Sequence, residues 1–199
     1  MKRSLDLILA ISTILIFLPI LFLISILILS IDGRPIFYKQ KRIGKNSEIF
    51  NIIKFRTMMN NVKISDEKRV TKLGSFLRKT SIDELPNLLN VISGKMSIVG
   101  PRPLPATYLN RFDDYQARRH NVKPGLTGWA QINGRNLNTW EKKFELDIWY
   151  VNNKTLLVDI KIIFLTFITI ISQKGINDSF NRNVKEFKNQ NTNEYEEKD

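Results

Sequence analysis

The chain has 199 residues, enough for one sizeable domain with a small appendage but not for two large domains. It contains no cysteine and a single histidine, which excludes disulfides, thiolate catalysis, thiolate metal sites and a histidine cluster for zinc or copper. The net charge of +12 indicates an anionic partner, such as nucleic acid, lipid head groups or a phosphorylated substrate. Any metal is expected to be a hard cation on oxygen ligands.

The first predicted element is a membrane helix. Residues 7–31 carry no charge, and as a helix they are long enough to cross a bilayer. The run is too long for a signal peptide, and no small-residue cleavage site follows it. Pro19 predicts a kink or break at the middle, leaving two halves of about 12 residues that are each too short to span a bilayer. Basic residues prefer the cytoplasmic side of a membrane, and both flanks of this helix are basic, so a re-entrant helix with both ends in the cytoplasm is one interpretation. A spanning helix with a kink at Pro19 is equally compatible with these features.

A β-hairpin is predicted next, with strands over residues 36–43 and 48–56 joined by a turn at 44–47. Side chains alternate along a strand, so Lys54 and Arg56 should share one face. Residues 36–79 contain 12 Lys or Arg against 3 Asp or Glu. This positive charge suits anionic lipid, a phosphorylated substrate or both.

The segment KTSIDELPNLLN, residues 79–90, places two carboxylates, Asp83 and Glu84, side by side. One interpretation is a helix start, since Ser81 and Glu84 have capping-box spacing and Pro86 fits a first turn.

The other interpretation of Asp83 and Glu84 is a reaction centre. A helix N-terminus binds anions, and the cations of Arg78, Lys54 and Arg56 suit phosphate oxygens. An ionised carboxylate can attack phosphorus while a neighbouring one holds Mg²⁺ against a diphosphate.

The rest of the chain supplies loops and helices. Two glycine-containing loops, one around Arg102 and one around Arg135, can shape a pocket. Helices are predicted over residues 104–122, 138–151 and 156–172, the last buried or lying at the membrane interface. The tail over residues 176–199 is predicted to be disordered, while His120 and Trp129 are expected to have structural roles.

These motifs, in order, resemble the bacterial sugar transferase family, the monotopic polyprenyl-phosphate phosphoglycosyl transferases. The resemblance covers residues 1–175 and is carried by KRSLDLILA, IIKFRTM, FLRKTSIDELPNLLNVISGKMSIVGPRPLP, RRHNVKPGLTGWAQINGRN and KKFELDIWYV. The chain is similar to the small form of the family, without an additional multi-span N-terminal domain.

The resemblance implies a reaction in which a UDP-sugar donates its sugar 1-phosphate to undecaprenyl phosphate, giving undecaprenyl-diphosphate-sugar and UMP. It implies that Asp83 is the nucleophile of a covalent sugar-phosphate intermediate and that Glu84 is the Mg²⁺ ligand. Arg78 is expected on phosphate, and Lys54 matches the first basic residue of the family's Lys-Phe-basic-Thr-Met motif. Arg102 and Arg135 are expected to line the nucleotide or phosphate pocket.

The resemblance also implies an α+β protein at the cytoplasmic face of the bacterial inner membrane, with a re-entrant membrane helix over residues 1–34. Residues 35–175 would form the catalytic domain, a small, mainly helical unit with a β-hairpin and interface-lying helices. Enzymes that extend the glycan are possible downstream partners. One departure from the family is Leu18, since members often have serine immediately before the proline.

Two other functions compete with this hypothesis. A membrane-anchored basic module could bind anionic lipid or nucleic acid, although the basic segment contains no nucleic-acid motif, so no nucleic-acid partner is expected. An assembly scaffold could dock a partner on the C-terminal apolar helix. Neither alternative requires Asp83 to react.

Overall fold

A computed structural model of the chain describes residues 1–59, 65–134, 138–171 and 187. The α-helices of this part of the chain are α1 (Lys2–Ile31), α2 (Asp66–Arg69), α3 (Lys72–Thr80), α4 (Leu88–Ile92), α5 (Asp114–Ala117), α6 (Trp129–Ile132), α7 (Trp140–Asn153) and α8 (Leu156–Ile171). The strands are β1 (Phe37–Ile43), β2 (Ile49–Phe55), β3 (Ser97–Val99) and β4 (Gly125–Thr127). Short 3₁₀ segments lie at Lys45–Ser47, Ile82–Asn87, Ala106–Arg111 and Arg118–Asn121. The predicted helix-rich α+β fold with a long apolar N-terminal helix is confirmed.

Helix α1 is continuous over 30 residues, with Pro19 inside it. The helix is therefore not broken at Pro19. A proline removes one hydrogen bond of a long helix and leaves the others in place. Among the described residues, α1 alone is long and apolar enough to cross a membrane, a judgement from length and composition only. None of its residues from 11 to 23 is buried.

The N-terminal end of α1 is fixed to the globular part by charged side chains. Lys2 Nζ lies 2.6 Å from Asp159 Oδ2 on α8, and Arg3 donates to the carbonyl oxygens of Val91 and Ile92 at the end of α4. The buried Asp6 carboxylate accepts hydrogen bonds from the Ser97 hydroxyl and the Ile98 amide of β3.

The C-terminal end of α1 is fixed to the same globular part. Ile24 and Ile28 are buried against Phe55 of β2 and Leu77 of α3. The guanidinium of Arg56 donates to the carbonyl oxygens of residues 32, 33 and 34, directly after the helix. Both ends of the apolar helix therefore contact one domain. Between them, Ile14 and Leu21 also pack against this domain, whereas residues such as Leu15, Leu18 and Phe22 are exposed.

The predicted hairpin is confirmed as the antiparallel pair β1 and β2, with Ile43 opposite Ile49 at the turn and Phe37 opposite Phe55 at the open end. Phe50 and Ile52 point from one face of β2 into a core shared with Ala10 of α1 and Leu88 of α4. The same period-two alternation places Lys54 on this inward face.

The second sheet is the parallel pair β3 and β4, in register at Ser97 with Gly125 and at Val99 with Thr127. A Cβ on Gly125 would lie 2.1 Å from the backbone nitrogen of Gly100, so this contact requires glycine. The close approach joins the loop that carries Arg102 to the loop that precedes Trp129.

Residues 104–122 do not form the single predicted helix. They comprise the 3₁₀ segments Ala106–Arg111 and Arg118–Asn121 with α5 between them. Phe112 is extended, and the Asp113 side chain caps a new helix by accepting a hydrogen bond from the Gln116 amide at 2.7 Å. The local capping interaction interrupts the apolar periodicity on which the prediction depended.

The other two C-terminal helices are confirmed as α7 and α8. Thr139 caps α7 as predicted, and Trp129 stacks on Trp149 of that helix with ring centroids 4.5 Å apart. Asp159 of α8 is buried and accepts a hydrogen bond from the Tyr150 hydroxyl at 2.6 Å. The opposite side of α8 exposes large apolar residues: Leu157, Ile160, Phe164, Phe167 and Ile168.

Phe187 departs from the prediction of a disordered tail over residues 176–199. Its side chain is 5% exposed and packs in a cluster with Leu104 and Phe144. Residues 172–186 and 188–199 lie outside the described part of the chain.

Candidate active site

The carboxylate pair lies in the 3₁₀ segment Ile82–Asn87, directly after α3. Ser81 separates the two elements in a left-handed conformation with φ +57°, and its amide donates to carbonyl oxygens of α3. Its side chain makes no capping bond to the 3₁₀ segment. The predicted capping box is therefore wrong, since Ser81 ends one helix and the Glu84 carboxylate turns to other partners.

Two buried asparagines hold this segment against the free edge of β2. Asn87 Oδ1 accepts a hydrogen bond from the Ile53 amide at 2.8 Å, and Asn90 Nδ2 donates to the Asn51 carbonyl at 3.0 Å. These side chains satisfy strand groups that would otherwise lack a partner in the core. They fix the carboxylate pair relative to Lys54 on the same strand.

Glu84 bridges two cations from separate parts of the chain. Its Oε1 atom lies 2.5 Å from Lys54 Nζ on β2 and 2.7 Å from an Arg102 nitrogen in the loop after β3. Burial alone would raise the pKa of Glu84, but Arg102 and Lys54 together hold it well below its ordinary value. Glu84 is therefore an anion at any physiological pH.

Asp83 has a different environment from its neighbour. Its side chain is buried, and among the described residues none donates a hydrogen bond to its carboxylate. Burial and the charge of the adjacent Glu84 raise the pKa of Asp83 to about 6, although the cations of Lys54, Arg102 and Arg78 oppose the rise. The two carboxylates therefore differ in pKa and in hydrogen-bond partners, so they can perform separate tasks.

The structure brings three of the predicted cations to the pair and assigns Arg56 elsewhere. Lys54 and Arg102 contact Glu84 directly, while Arg78 influences Asp83 through its charge and donates to the Thr57 hydroxyl at 2.8 Å. Strand β2 ends at Phe55, so Arg56 leaves the face of Lys54 and its buried side chain binds the end of α1. In this geometry Arg56 fixes the end of α1, and its predicted contact with substrate stays a prediction. Arg135 lies outside the described residues.

Arg42 is a further cation at the site that the sequence interpretation did not select. It lines an open cavity of about 270 Å³ together with Lys54, Glu84 and Arg102. Burial and the charge of Arg102 lower the pKa of Arg42 to about 10. Its position opposite Phe50 in the hairpin register is the signal that could have placed it on the inward face of the sheet.

The loop carrying Arg102 is held by hydrogen bonds to three consecutive carbonyl oxygens. Arg119 donates to the oxygen of Arg102 at 2.7 Å, Arg42 to that of Pro103 at 3.1 Å, and the Ile43 amide to that of Leu104 at 3.0 Å. Arg119 is itself buried in an ion pair with Asp147 at 2.7 Å. Arg102 is therefore presented from a fixed backbone while half of its side chain stays exposed.

His120 lies close to this loop but lacks the partners of a general base. It is buried, neither ring nitrogen has a hydrogen-bond partner among the described residues, and it meets the Phe112 ring edge-on with centroids 4.9 Å apart. Burial and the neighbouring Arg119 lower its pKa to about 4. A neutral packing role, as the sequence predicts, agrees with this environment.

The donor set fits Mg²⁺ only in combination with a substrate. Among the described residues there is no group of three acidic or histidine side chains that could hold a metal. Both short contacts of Glu84 fall on Oε1, whereas Oε2 has one contact at 3.5 Å to Arg102. Mg²⁺ typically takes one or two carboxylates, with phosphate oxygens and water completing its shell, so the second oxygen of Glu84 suits it.

The sequence is similar to several known proteins along most of its length. The family model for the bacterial sugar transferases matches residues 1–173. The chain is 52% identical to the uncharacterized sugar transferase EpsL of Bacillus subtilis, over 79% of this chain and 80% of that protein. It is 39% identical to the exopolysaccharide production protein ExoY of Sinorhizobium fredii, over 87% of each chain.

A longer relative carries an explicit activity in its name. The UDP-glucose:undecaprenyl-phosphate glucose-1-phosphate transferase of Escherichia coli is 40% identical over 83% of this chain and 39% of its own length. The family model itself spans the hairpin, the carboxylate pair and the loop of Arg102. The chain therefore belongs to the bacterial sugar transferase family and is an enzyme of the sugar-phosphate transferase type.

Proposed function

We propose that the protein transfers a sugar 1-phosphate from a UDP-sugar to undecaprenyl phosphate, giving undecaprenyl-diphosphate-sugar and UMP. The observation that carries the proposal is a buried Asp83, to which no described residue donates a hydrogen bond, beside a Glu84 anion held by two cations. The names of relatives from Escherichia coli and Xanthomonas campestris specify UDP-glucose and undecaprenyl phosphate, and that of an Erwinia amylovora relative specifies UDP-galactose and a lipid carrier. These names support the donor and acceptor classes and leave the sugar of this enzyme open.

In the first step, an Asp83 carboxylate oxygen attacks the sugar-bearing phosphorus of the donor. The bond from this phosphorus to the bridging oxygen of the diphosphate breaks, and UMP leaves with that oxygen. The product is an acyl phosphate in which Asp83 carries the sugar phosphate. Asp83 suits this task because no donor in the described part of the chain occupies its lone pairs, and because its pKa of about 6 leaves it ionised near neutral pH.

In the second step, a phosphate oxygen of undecaprenyl phosphate attacks the same phosphorus. The bond to Asp83 breaks, the carboxylate is restored, and the new diphosphate joins the lipid to the sugar. The Asp83 carboxylate thus accepts the sugar phosphate from the donor in the first step and is displaced by the lipid phosphate in the second.

The cations stabilise the negative charge of both phosphates during these steps. Arg102 is half exposed and Lys54 lies beside the cavity, so both can contact a bound diphosphate. Mg²⁺ held by Glu84 would supply further neutralisation of the diphosphate. Arg78, fixed on Thr57 near Asp83, keeps positive charge at the nucleophile.

The membrane geometry that we propose is a re-entrant α1 whose two ends lie on the cytoplasmic side with the catalytic domain. The support is that Lys2, Arg3 and Asp6 at one end and residues 32–34 at the other all bind the same polar domain. Residues 11–23 between them expose apolar surface suited to lipid. A spanning helix would have to place one of these polar attachments across the bilayer.

The same proposal places the exposed apolar side of α8 against the membrane surface. Leu157, Phe164 and Phe167 are 63–79% exposed, and their helical spacing gives one apolar face. The Lys2 and Asp159 ion pair fixes this helix to the start of α1. Lipid contact would therefore bring the active site to the depth of the acceptor's phosphate.

A cysteine scan is expected to support the re-entrant geometry. The chain has no cysteine, so Ser4→Cys introduces a single thiol at an exposed position before the apolar run. In sealed vesicles of defined orientation, a membrane-impermeant maleimide should label Ser4→Cys only from the cytoplasmic side. Lys45→Cys in the hairpin turn should label from that same side, and Leu18→Cys from neither side. Labelling of Ser4→Cys from the outside would exclude the re-entrant helix.

The proposed reaction is tested by UMP release. Detergent-solubilised protein is incubated with Mg²⁺, undecaprenyl phosphate and a panel of UDP-sugars, and turnover is expected with at least one donor. No UMP from any sugar, with lipid binding that weakens steeply as salt rises, would instead favour a non-catalytic basic module.

A further inference from the structure

Phe187 is the only described residue beyond residue 171, and it is buried. Its ring fills a pocket whose wall is aromatic. Ring centroids of the four wall residues lie 5.0–5.9 Å from that of Phe187: Tyr108, Phe112, Trp140 and Phe144. Aromatic contacts at such distances stabilise beyond the area they bury, so the pocket fits an aromatic side chain.

The backbone of Phe187 is also held. Arg111 donates a hydrogen bond to the Phe187 carbonyl oxygen at 2.6 Å, and the same guanidinium lies 4.7 Å from the Tyr108 ring centre. The pocket therefore binds a main-chain group as well as a ring. This combination is a peptide-binding mode, in which a polar contact fixes the chain and a pocket selects the side chain.

The wall of this pocket is also a wall of the active site. Arg119 lies over the rings of Phe112 and Phe144 at 5.9 Å and 5.6 Å, and its guanidinium donates to the Arg102 carbonyl. Leu104, two residues after Arg102, is buried in the same cluster as Phe187. Phe187 thus completes the apolar support beneath the segment that presents Arg102 to Glu84.

We propose that Phe187 docks in this aromatic pocket and acts as a positioning residue for Arg102. The ring of Phe187 presses Phe112 and Phe144 against Arg119, and Arg119 fixes the Arg102 backbone. When the pocket is empty, the aromatic wall relaxes and Arg102 loses its fixed orientation toward the donor diphosphate. A displacement of about 1 Å in a positioning group is sufficient to change rates substantially.

The kinetic test uses the full-length protein with Phe187→Ala, and with Phe187→Leu as the variant that keeps apolar volume. It rests on the proposed function, because it follows UMP release. Phe187→Ala is expected to raise the KM for the UDP-sugar roughly tenfold with a smaller change in kcat, and to leave the KM for undecaprenyl phosphate unchanged. Phe187→Leu should restore most of the donor KM.

A double-mutant cycle separates positioning from general loss of structure. If Phe187 acts through Arg102, Phe187→Ala should change the donor KM less than about twofold in an Arg102→Gln background. Fully multiplicative effects of the two substitutions, or an unchanged donor KM in Phe187→Ala alone, would overturn the positioning role.

Docking is measured independently of activity. Trypsin cleaves after Lys185 and Lys188, which flank Phe187 in the sequence. Phe187→Ala should accelerate both cleavages and shift the fluorescence of Trp140. In Phe187→Leu the cleavage rates and the fluorescence should stay as in the unchanged protein. If the unchanged protein releases no UMP while these changes occur in Phe187→Ala, the proposed reaction is wrong but the docking of Phe187 is supported. If cleavage and fluorescence are unchanged in Phe187→Ala, the docking of Phe187 is wrong.

Discussion

Asp83→Asn is expected to reduce turnover at least about 10³-fold and to abolish the covalent intermediate, because an amide oxygen cannot form the acyl phosphate. The measurement combines UMP release with trapping of a radiolabelled sugar-phosphate adduct in the absence of lipid acceptor. Asp113→Asn is the matched control. Asp113 is exposed and lies far from the carboxylate pair in sequence, and asparagine can replace it as a helix cap. An adduct that persists in Asp83→Asn would place the covalent bond on another residue.

The same substitution is expected to stabilise the fold. Burial and Glu84 raise the pKa of Asp83 from 3.8 to about 6, so the folded protein holds this proton more tightly than the unfolded chain. Stability is therefore lost as the pH rises from about 4 to 6, and the loss is complete above that range. Asparagine removes an ionisation penalty of about 1–3 kcal/mol at pH 7, which should raise the melting temperature. A more stable, inactive variant distinguishes a reacting group from a structural one.

Adduct formation should consequently weaken in acid. The nucleophile is the ionised form, and protonation removes it as the pH falls through about 6. The rate of adduct formation in the first turnover should therefore drop about tenfold for each pH unit below that value.

Glu84→Gln is expected to reduce kcat on the order of 10²-fold or more and to raise the Mg²⁺ concentration needed for half-maximal rate. The neutral amide is a poor ligand for a hard cation, and it leaves Lys54 and Arg102 without their shared anion. Metal titrations of UMP release measure the effect. Glu145→Gln is the control, because this exposed residue forms its ion pair with Lys142 on the surface of α7, away from the carboxylate pair in sequence. An unchanged Mg²⁺ requirement in Glu84→Gln would refute the assignment of the metal to Glu84.

The Glu84→Gln variant also tests whether the charge of Glu84 acts on the pKa of Asp83. The charge of Glu84 raises the pKa of Asp83, so its removal should move the acid limb of adduct formation below pH 6. A lower kcat with a shifted acid limb identifies Glu84 as an electrostatic neighbour of the nucleophile. A lower kcat without the shift would indicate that the variant merely disturbs metal binding.

The site departs from the sequence interpretation where contacts between distant segments decide the outcome. Strand alternation correctly gave Lys54 a defined face, but that face points inward because Phe50 and Ile52 share it. The alternation of the sequence predicts that Arg56 lies on the same face as Lys54. In the structure it does not, because β2 ends at Phe55 and the Arg56 side chain binds three carbonyl oxygens at the end of α1. Local periodicity does not contain this information.

The sequence by itself determined the apolar helix, the hairpin, helices α7 and α8, and the presence of two adjacent carboxylates within a basic segment. These features follow from composition, alternation and capping residues, which act over a few positions. Tertiary structure alone decided that Glu84 joins Lys54 to Arg102, that Asn87 and Asn90 fix the pair to β2, and that Phe187 occupies the aromatic pocket. The charge states of Asp83 and Glu84 depend on burial and on cations up to 30 residues away in the chain, so only the folded molecule sets them.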